Sequence, residues 1–192
     1  MTESKEVLIL ASASPRRQQL LREAGVAIEV HPAHIREERL PGEDPVQYAC
    51  RLAREKAQAV AQAFPGRCVL GADTIVVVDE QVLEKPGNAY DAARMLRLLS
   101  GRAHQVTTGV SLVDRQGKTD TRFSTARVHF RKLEPLEVER YIESGEPMDK
   151  AGAYAIQGGA AAWIERVEGE YSNVVGLPVL LVKEMLRDKA GR

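Results

Sequence analysis

An aspartate set inside an apolar run is the residue in this sequence that most needs a chemical explanation. Asp73 lies in CVLGADTIVVV, residues 68–78, with Val69, Leu70, Ile75 and Val76 around it. A carboxylate there is costly to ionise unless it is paired with a cation, protonated or bound to a metal. Gly71, two residues earlier, lets another group come close to the strand, which makes Asp73 a candidate functional acid. A buried aspartate that ties down a loop by hydrogen bonds is the structural alternative.

Candidate cations come from separate stretches. Ser12-Ala13-Ser14-Pro15-Arg16-Arg17 follows a short apolar run and opens a helix. Unpaired N–H groups at a helix start, two hydroxyls and two guanidiniums suit phosphate oxygens. A capped helix with solvated arginines would use the same residues. The GxxxxGK[ST] and GxGxxG patterns are both missing, so this is neither a P-loop nor a dinucleotide fingerprint. Lys56, Lys85 (in LEKPG) and Lys150 (in MDKAGAY) are ordinary surface charges unless the fold gathers them. The glycine-rich run Lys150 to Gly159 permits close backbone approach to a flat ligand, and the Gln157 amide offers a donor and an acceptor to a base edge. Taken alone it also reads as a flexible loop, and Tyr171 to Pro178 as a turn into the last helix.

These residues need a scaffold, and the patterning supplies one. Val7–Leu10 is a short strand buried on both faces. A helix follows from Pro15 to about Ala24, capped by Ser14, burying Leu20 and Leu21 and stopping at Gly25. A strand at 27–30 precedes a polar loop over 31–44, then a longer helix from Pro45, capped by Asp44, with Tyr48, Leu52, Ala53 and Lys56 on or near one face. The 68–78 strand turns at Asp79-Glu80 into a hairpin through Val82-Leu83. A helix over 88–99 carries Ala92, Met95, Leu96 and Leu99 at helical spacing and ends at Gly101. Strands are expected at 105–113 and 120–130; in the second, Ala126, Val128 and Phe130 alternate with Arg127, His129 and Arg131. A helix over 135–142, a long loop marked by Gly145, Gly152, Gly158 and Gly159, a strand over 161–167 and a final helix complete the chain. The order predicts an α/β protein with a mixed sheet and flanking helices, one domain over 1–192.

Composition narrows the partners. With Lys+Arg 27 against Asp+Glu 27, the molecule has no net field for nucleic acid or an anionic membrane. The apolar run near the start is too short for a signal or spanning segment, and a cytoplasmic location is expected. Cys50 and Cys68 form no CxxC pair and read as buried thiols of a reduced compartment. His31 and His34 lack a second ligand pair at zinc spacing.

Taken together, LASASPRRQQLL, RLAREKA, GADTIVVVDEQVLEKP, MLRLLSGRAHQVTTGV, DKAGAYAIQG and VVGLP resemble the Maf family of nucleotide pyrophosphatases, in the family's order and over nearly the whole chain. The resemblance implies an inosine-triphosphatase-like fold, an elongated mixed sheet with two lobes and a central cleft. It also implies cleavage between the α and β phosphates of a nucleoside triphosphate, a divalent cation (Mg²⁺ or Mn²⁺) and a homodimer. It makes Asp73 the catalytic proton acceptor, and Ser12, Ser14, Arg16, Arg17, Lys56 and Lys85 the phosphate site. Glu37, in IREER, resembles the acid that helps Asp73 hold the metal. Arg16, Thr74 and Gln157 stand where the family's subgroups differ, and all three resemble the subgroup that cleaves dTTP and UTP. An amide at 157 suits a neutral pyrimidine edge, whereas a carboxylate suits a methylated guanine. The run Gly159-Ala160-Ala161-Ala162 is less typical of the family. The same chemistry on 7-methyl-GTP or on modified pyrimidine triphosphates, and a non-catalytic regulatory role in cell division, are the competing readings.

Overall fold

The computed structural model describes residues 7–190. The single domain expected over 1–192 therefore includes residues 1–6 and 191–192, which lie outside the described residues. The strands are β1 (Leu8–Leu10), β2 (Ile28–Val30), β3 (Val69–Val78), β4 (Gln81–Leu83), β5 (Ala103–Val113), β6 (Thr119–Phe130) and β7 (Ile164–Glu168). The α-helices are α1 (Pro15–Glu23), α2 (Pro45–Ala61), α3 (Ala89–Leu99), α4 (Pro135–Glu143), α5 (Tyr171–Val175) and α6 (Val179–Ala190). The strands form one sheet in the order β2-β1-β3-β5-β6-β7, with β4 paired to β3. β1 runs parallel to both β2 and β3, while β3–β4 and β6–β7 are antiparallel, so the sheet is mixed.

The chain divides into two compact units. The first holds the described residues up to Asp73, together with Thr108–Ser124 and those from Gly176 onward; the second holds Thr74–Thr107 and Thr125–Val175. In the first unit, alternation along β1 sends Leu8 and Leu10 to one core and Ile9 and Ala11 to another. The Leu8/Leu10 face is covered by Leu21 of α1 and by Val182 and Met185 of α6. On the opposite face Val69 packs with Ala57 and Val60 of α2. Burial on both faces is what makes these strands continuously apolar. Asp73 has the same parity as Val69 and Gly71, which places it on the α2 face of β3.

Helix α2 lies very close to that face, and two glycines make this possible. A Cβ built on Gly71 would sit 2.3 Å from the Ala53 carbonyl oxygen, and one on Gly109 would sit 2.5 Å from that of Ala49. The helix backbone thus rests almost directly on β3 and β5, an approach that any larger residue would block.

The second unit buries Ala92, Met95, Leu96 and Leu99 of α3, the helical stripe expected from the sequence, together with Val128 and Phe130 of β6. The β3–β4 turn closes with both Asp79 and Glu80 at positive φ, the geometry that matches strand twist in two-residue hairpins.

Some expectations need correction. The strand expected over 161–167 is instead a 3₁₀ helix at Gly159–Trp163 followed by β7. Ala160 and Trp163, three apart, are both buried, a spacing that stacks in a three-residue turn. The long glycine loop contains two further 3₁₀ turns, Glu146–Asp149 and Ala151–Ala153, and the turn before the last helix is the short helix α5. Leu20 is only half-buried. Cys68 is buried as expected, but Cys50 is half-buried; both are free thiols. Among the described residues no helix is long and apolar enough to cross a membrane.

Candidate active site

The site is built from three local devices in the first unit. In the first, Ala11 N–H donates to the Leu70 carbonyl just past the end of β1, and the chain leaves the sheet there. Ser14 caps α1 by accepting the Arg17 N–H, with Pro15 in the first turn. The Ser12 hydroxyl accepts from the Ser14 N–H and from Arg17 Nη1, both at 3.2 Å. Arg17 Nε donates to the Gly176 carbonyl at 2.8 Å, which fixes the guanidinium against the start of the last helix. Ser12 is thus a buried organiser of the loop, and Arg17 is held by it. Arg16 is half-buried, and its charge acts on Arg17.

The second device is α2. Because its backbone lies against Gly71, Lys56, next to Ala57, projects onto Asp73, two residues beyond Gly71. Lys56 Nζ donates to Asp73 Oδ1 at 2.7 Å, and it lies 2.8 Å from Glu37 Oε1. Lys56 and Asp73 are each 7% exposed. The tendency of lysine to stay on the surface fails here because two carboxylates replace its water.

The third device latches the loop that carries Glu37. Arg51 grips both Glu43 oxygens, at 2.7 and 2.8 Å, and donates to the Glu38 carbonyl at 2.9 Å. This bidentate pairing holds Glu43 below the usual carboxylate range, chiefly through the hydrogen bond from Arg51. Neither Arg51 nor Glu43 stood out in the sequence. Their only signal there was that the acid-rich loop is followed by an arginine nearly two turns into α2.

Electrostatics join the devices. Burial pushes the Asp73 carboxyl above its ordinary value; the charge and hydrogen bond of Lys56 and the charge of Arg17 oppose this, while Glu37 adds to it. Burial lowers the Arg17 pKa, opposed by Asp73 and Glu37. Ser12, Arg17, Glu37, Lys56 and Asp73 therefore form one coupled group, with Ser14 and Arg16 on the same helix start. Thr74, Lys85 and Gln157 belong to the second unit; Thr74 is half-buried, whereas Lys85 and Gln157 are exposed. Within that unit the Gly152 N–H donates to the Glu84 carbonyl, which ties the segment of Lys85 to the glycine-rich run. Lys150 is engaged by its own turn, donating to the Glu146 carbonyl and to Asp149.

A buried carboxylate beside an ammonium, a serine-bounded helix start and a second acid is an arrangement that can hold polyphosphate and accept a proton. The Maf-like protein family matches this chain over residues 7–189. The chain belongs to the Maf-like family. This Maf-like protein is 54% identical over 180 residues to the dTTP/UTP pyrophosphatase of Koribacter versatilis, covering 94% of this chain and 93% of that protein. It is 48% identical over 188 residues to the dTTP/UTP pyrophosphatase of Geotalea uraniireducens, covering 97% of each. Among solved structures, the Ham1 protein of Staphylococcus aureus aligns with a TM-score of 0.53 at 12% identity, covering 96% of this chain and all of that one. At that identity the likeness concerns the fold alone: the helix-flanked mixed sheet of inosine-triphosphatase type expected of a Maf-like chain.

Two carboxylates meeting at one ammonium also fit a hard divalent cation, which takes one or two protein oxygens and fills its remaining sites with phosphate and water. Among the described residues no group of three or more His, Cys, Asp and Glu side chains could hold a metal without such help.

Proposed function

We propose that this protein hydrolyses dTTP and UTP to the nucleoside monophosphate and pyrophosphate. The observation that carries the reading is the buried Lys56–Asp73 pair, coupled to Arg17 and Glu37, in a chain about half identical to relatives named for that activity. The α1 start, with Arg16 and Arg17, takes phosphate oxygens, and Lys56 and Lys85 add positive charge. Asp73 accepts a proton from water as its oxygen attacks the α-phosphorus; the bond to the bridging oxygen breaks and pyrophosphate leaves with the electron pair. Asp73 and Glu37 would hold the divalent ion, Mg²⁺ or Mn²⁺. When bound, it would neutralise charge on the phosphates. Arg16, Thr74 and Gln157 select the base. A homodimer belongs to the same proposal and rests on the family resemblance; a cytoplasmic location rests on the free thiols Cys50 and Cys68.

The test is pyrophosphate release across a nucleoside triphosphate panel, with and without EDTA, for the wild type and Asp73→Asn. We expect release from dTTP and UTP that EDTA abolishes, and a roughly 10²–10⁴-fold lower rate in the folded variant, the range for losing a general base. Undiminished turnover in Asp73→Asn would remove that residue from its role.

A further inference from the structure

Gln157 is exposed and lies in a segment rich in small residues, yet the backbone on either side of it is held by one pair of side chains. The hydroxyl of Tyr141, on α4, accepts the Ala155 N–H at 3.1 Å and donates to Glu146 Oε1 at 2.9 Å. The other carboxylate oxygen, Oε2, accepts the Gly159 N–H at 3.1 Å. Between these points the Gly158 N–H donates to the Ala155 carbonyl, closing the turn that contains Gln157. The two amides that bracket Gln157 thus converge on a single Tyr–Glu unit.

The unit is itself fixed. Tyr141 is 6% exposed, with its ring edge-on to Trp163 at 4.8 Å. Glu146 opens a 3₁₀ turn whose carbonyl takes the Lys150 ammonium. The turn is moulded tightly around the carboxylate: a Cβ on Gly158 would come within 1.7 Å of Glu146 Oε1, and one on Gly159 within 3.1 Å of the Tyr141 ring. A solvent-facing loop that needed only to connect α4 to β7 would not require Gly158 and Gly159 to be packed against a shared hydrogen-bonded pair.

We infer that Tyr141 and Glu146 are positioning residues for base selection, a two-point clamp that presents the Gln157 amide at a fixed place to the edge of a pyrimidine base. The inference rests on the reading that Gln157 selects the base. An amide discriminates a carbonyl edge from an amino edge only if its donor and acceptor are held in register, since misaligned hydrogen bonds weaken steeply. The clamp touches no reacting atom and acts through the 155–159 backbone.

The experiment compares kcat and KM for dTTP, UTP and dCTP in the wild type, Tyr141→Phe, Glu146→Ala and Glu146→Gln. Phenylalanine keeps the ring on Trp163 and removes only the hydroxyl. Glutamine keeps an acceptor for the Gly159 N–H and a partner for the tyrosine oxygen. We expect Tyr141→Phe and Glu146→Ala to lower kcat/KM for dTTP and UTP about tenfold, mostly through KM, and to shrink the preference over dCTP by a similar factor, the effect of about one lost hydrogen bond. Glu146→Gln restores the preference to within about threefold of wild type. An unchanged dTTP-to-dCTP ratio in folded Tyr141→Phe overturns the inference, as does an equal loss of kcat on all three substrates. Should Glu146→Ala fail to fold, Tyr141→Phe and Glu146→Gln decide it. A wild-type enzyme inactive on dTTP and UTP overturns the proposed function itself, a separate result visible before any variant is made.

Discussion

In the first unit the buried ionisable groups sit among opposite charges: Lys56 lies between buried Asp73 and exposed Glu37, with Arg17 acting on both acids. In the second unit His104, 2% exposed, has the neutral Tyr154 hydroxyl at 2.7 Å from Nε2 and the Phe130 ring edge-on beside it. Its Nδ1 has no hydrogen-bond partner among the described residues. One unit tolerates burial by pairing opposite charges, the other by staying neutral. The difference separates a region where opposite charges are gathered from one where a neutral hydrogen bond ties a strand to a loop. It also says how each should fail: the first when a partner is removed, the second when a proton is added.

Removing a partner should be the most damaging change. Lys56→Met leaves Asp73 buried without its cation, and urea unfolding should show a loss of about 3–5 kcal/mol. The same substitution made in an Asp73→Asn background should cost clearly less, because the acid it would strand is already neutral. Equal costs in the two backgrounds would mean that the pair adds nothing beyond packing.

The glycines sharpen the contrast at a smaller scale. A methyl group on Gly71 meets α2 backbone, whereas one on Gly158 meets the end of the Glu146 side chain. Gly71→Ala should therefore destabilise by about 1–3 kcal/mol, and by displacing Lys56 it should lower turnover about 10²-fold. Gly158→Ala should cost less stability, because a side-chain end moves more cheaply than a helix, and its effect should fall on substrate preference. Chemical denaturation and steady-state kinetics on the two variants decide this.

The smallest effect expected is the response of His104 to pH. Burial, with a smaller contribution from His129, lowers its pKa to about 3. The unfolded chain takes up a proton near pH 6.5 that the native state refuses. The stability contributed by neutral His104 is thus complete above about pH 6.5 and is lost as pH falls from there toward about 3. Between pH 6.5 and 5 this amounts to about 1.5 kcal/mol. His104→Gln should flatten that part of the profile when unfolding midpoints are compared; an unaltered slope would assign the acid sensitivity to other groups.

Most of the scaffold was legible because its signals are local. Asp44 and Ser14 as caps, the 3.6-residue stripe of α3 and the alternation at 126–130 each depend on near neighbours in sequence, and each is found as read. Asp73 stood out because its neighbours are apolar. The burial of Lys56 was not legible. It depends on Gly71 and Gly109 admitting the α2 backbone and on Arg51 holding the Glu37 loop, relations that span tens of residues. The Ala160–Trp163 turn was missed because a run of alanines carries no period to distinguish strand from 3₁₀ helix. Tyr141 and Glu146 left no mark at all, since a hydroxyl and a carboxylate that bond to backbone amides have no characteristic spacing.

The sharing of one ammonium by two acids from different parts of the chain has a consequence for how such a protein can change over time. Positions 56 and 73 form a buried pair in which each member's charge is acceptable only because of the other, and exposed Glu37 brings a second acid to the same ammonium. A lineage cannot drift through the pair one residue at a time. Any route to a different polar arrangement here has to change both members of the buried pair together, so Lys56 and Asp73 should resist substitution even where the exposed loop around Glu37 varies freely.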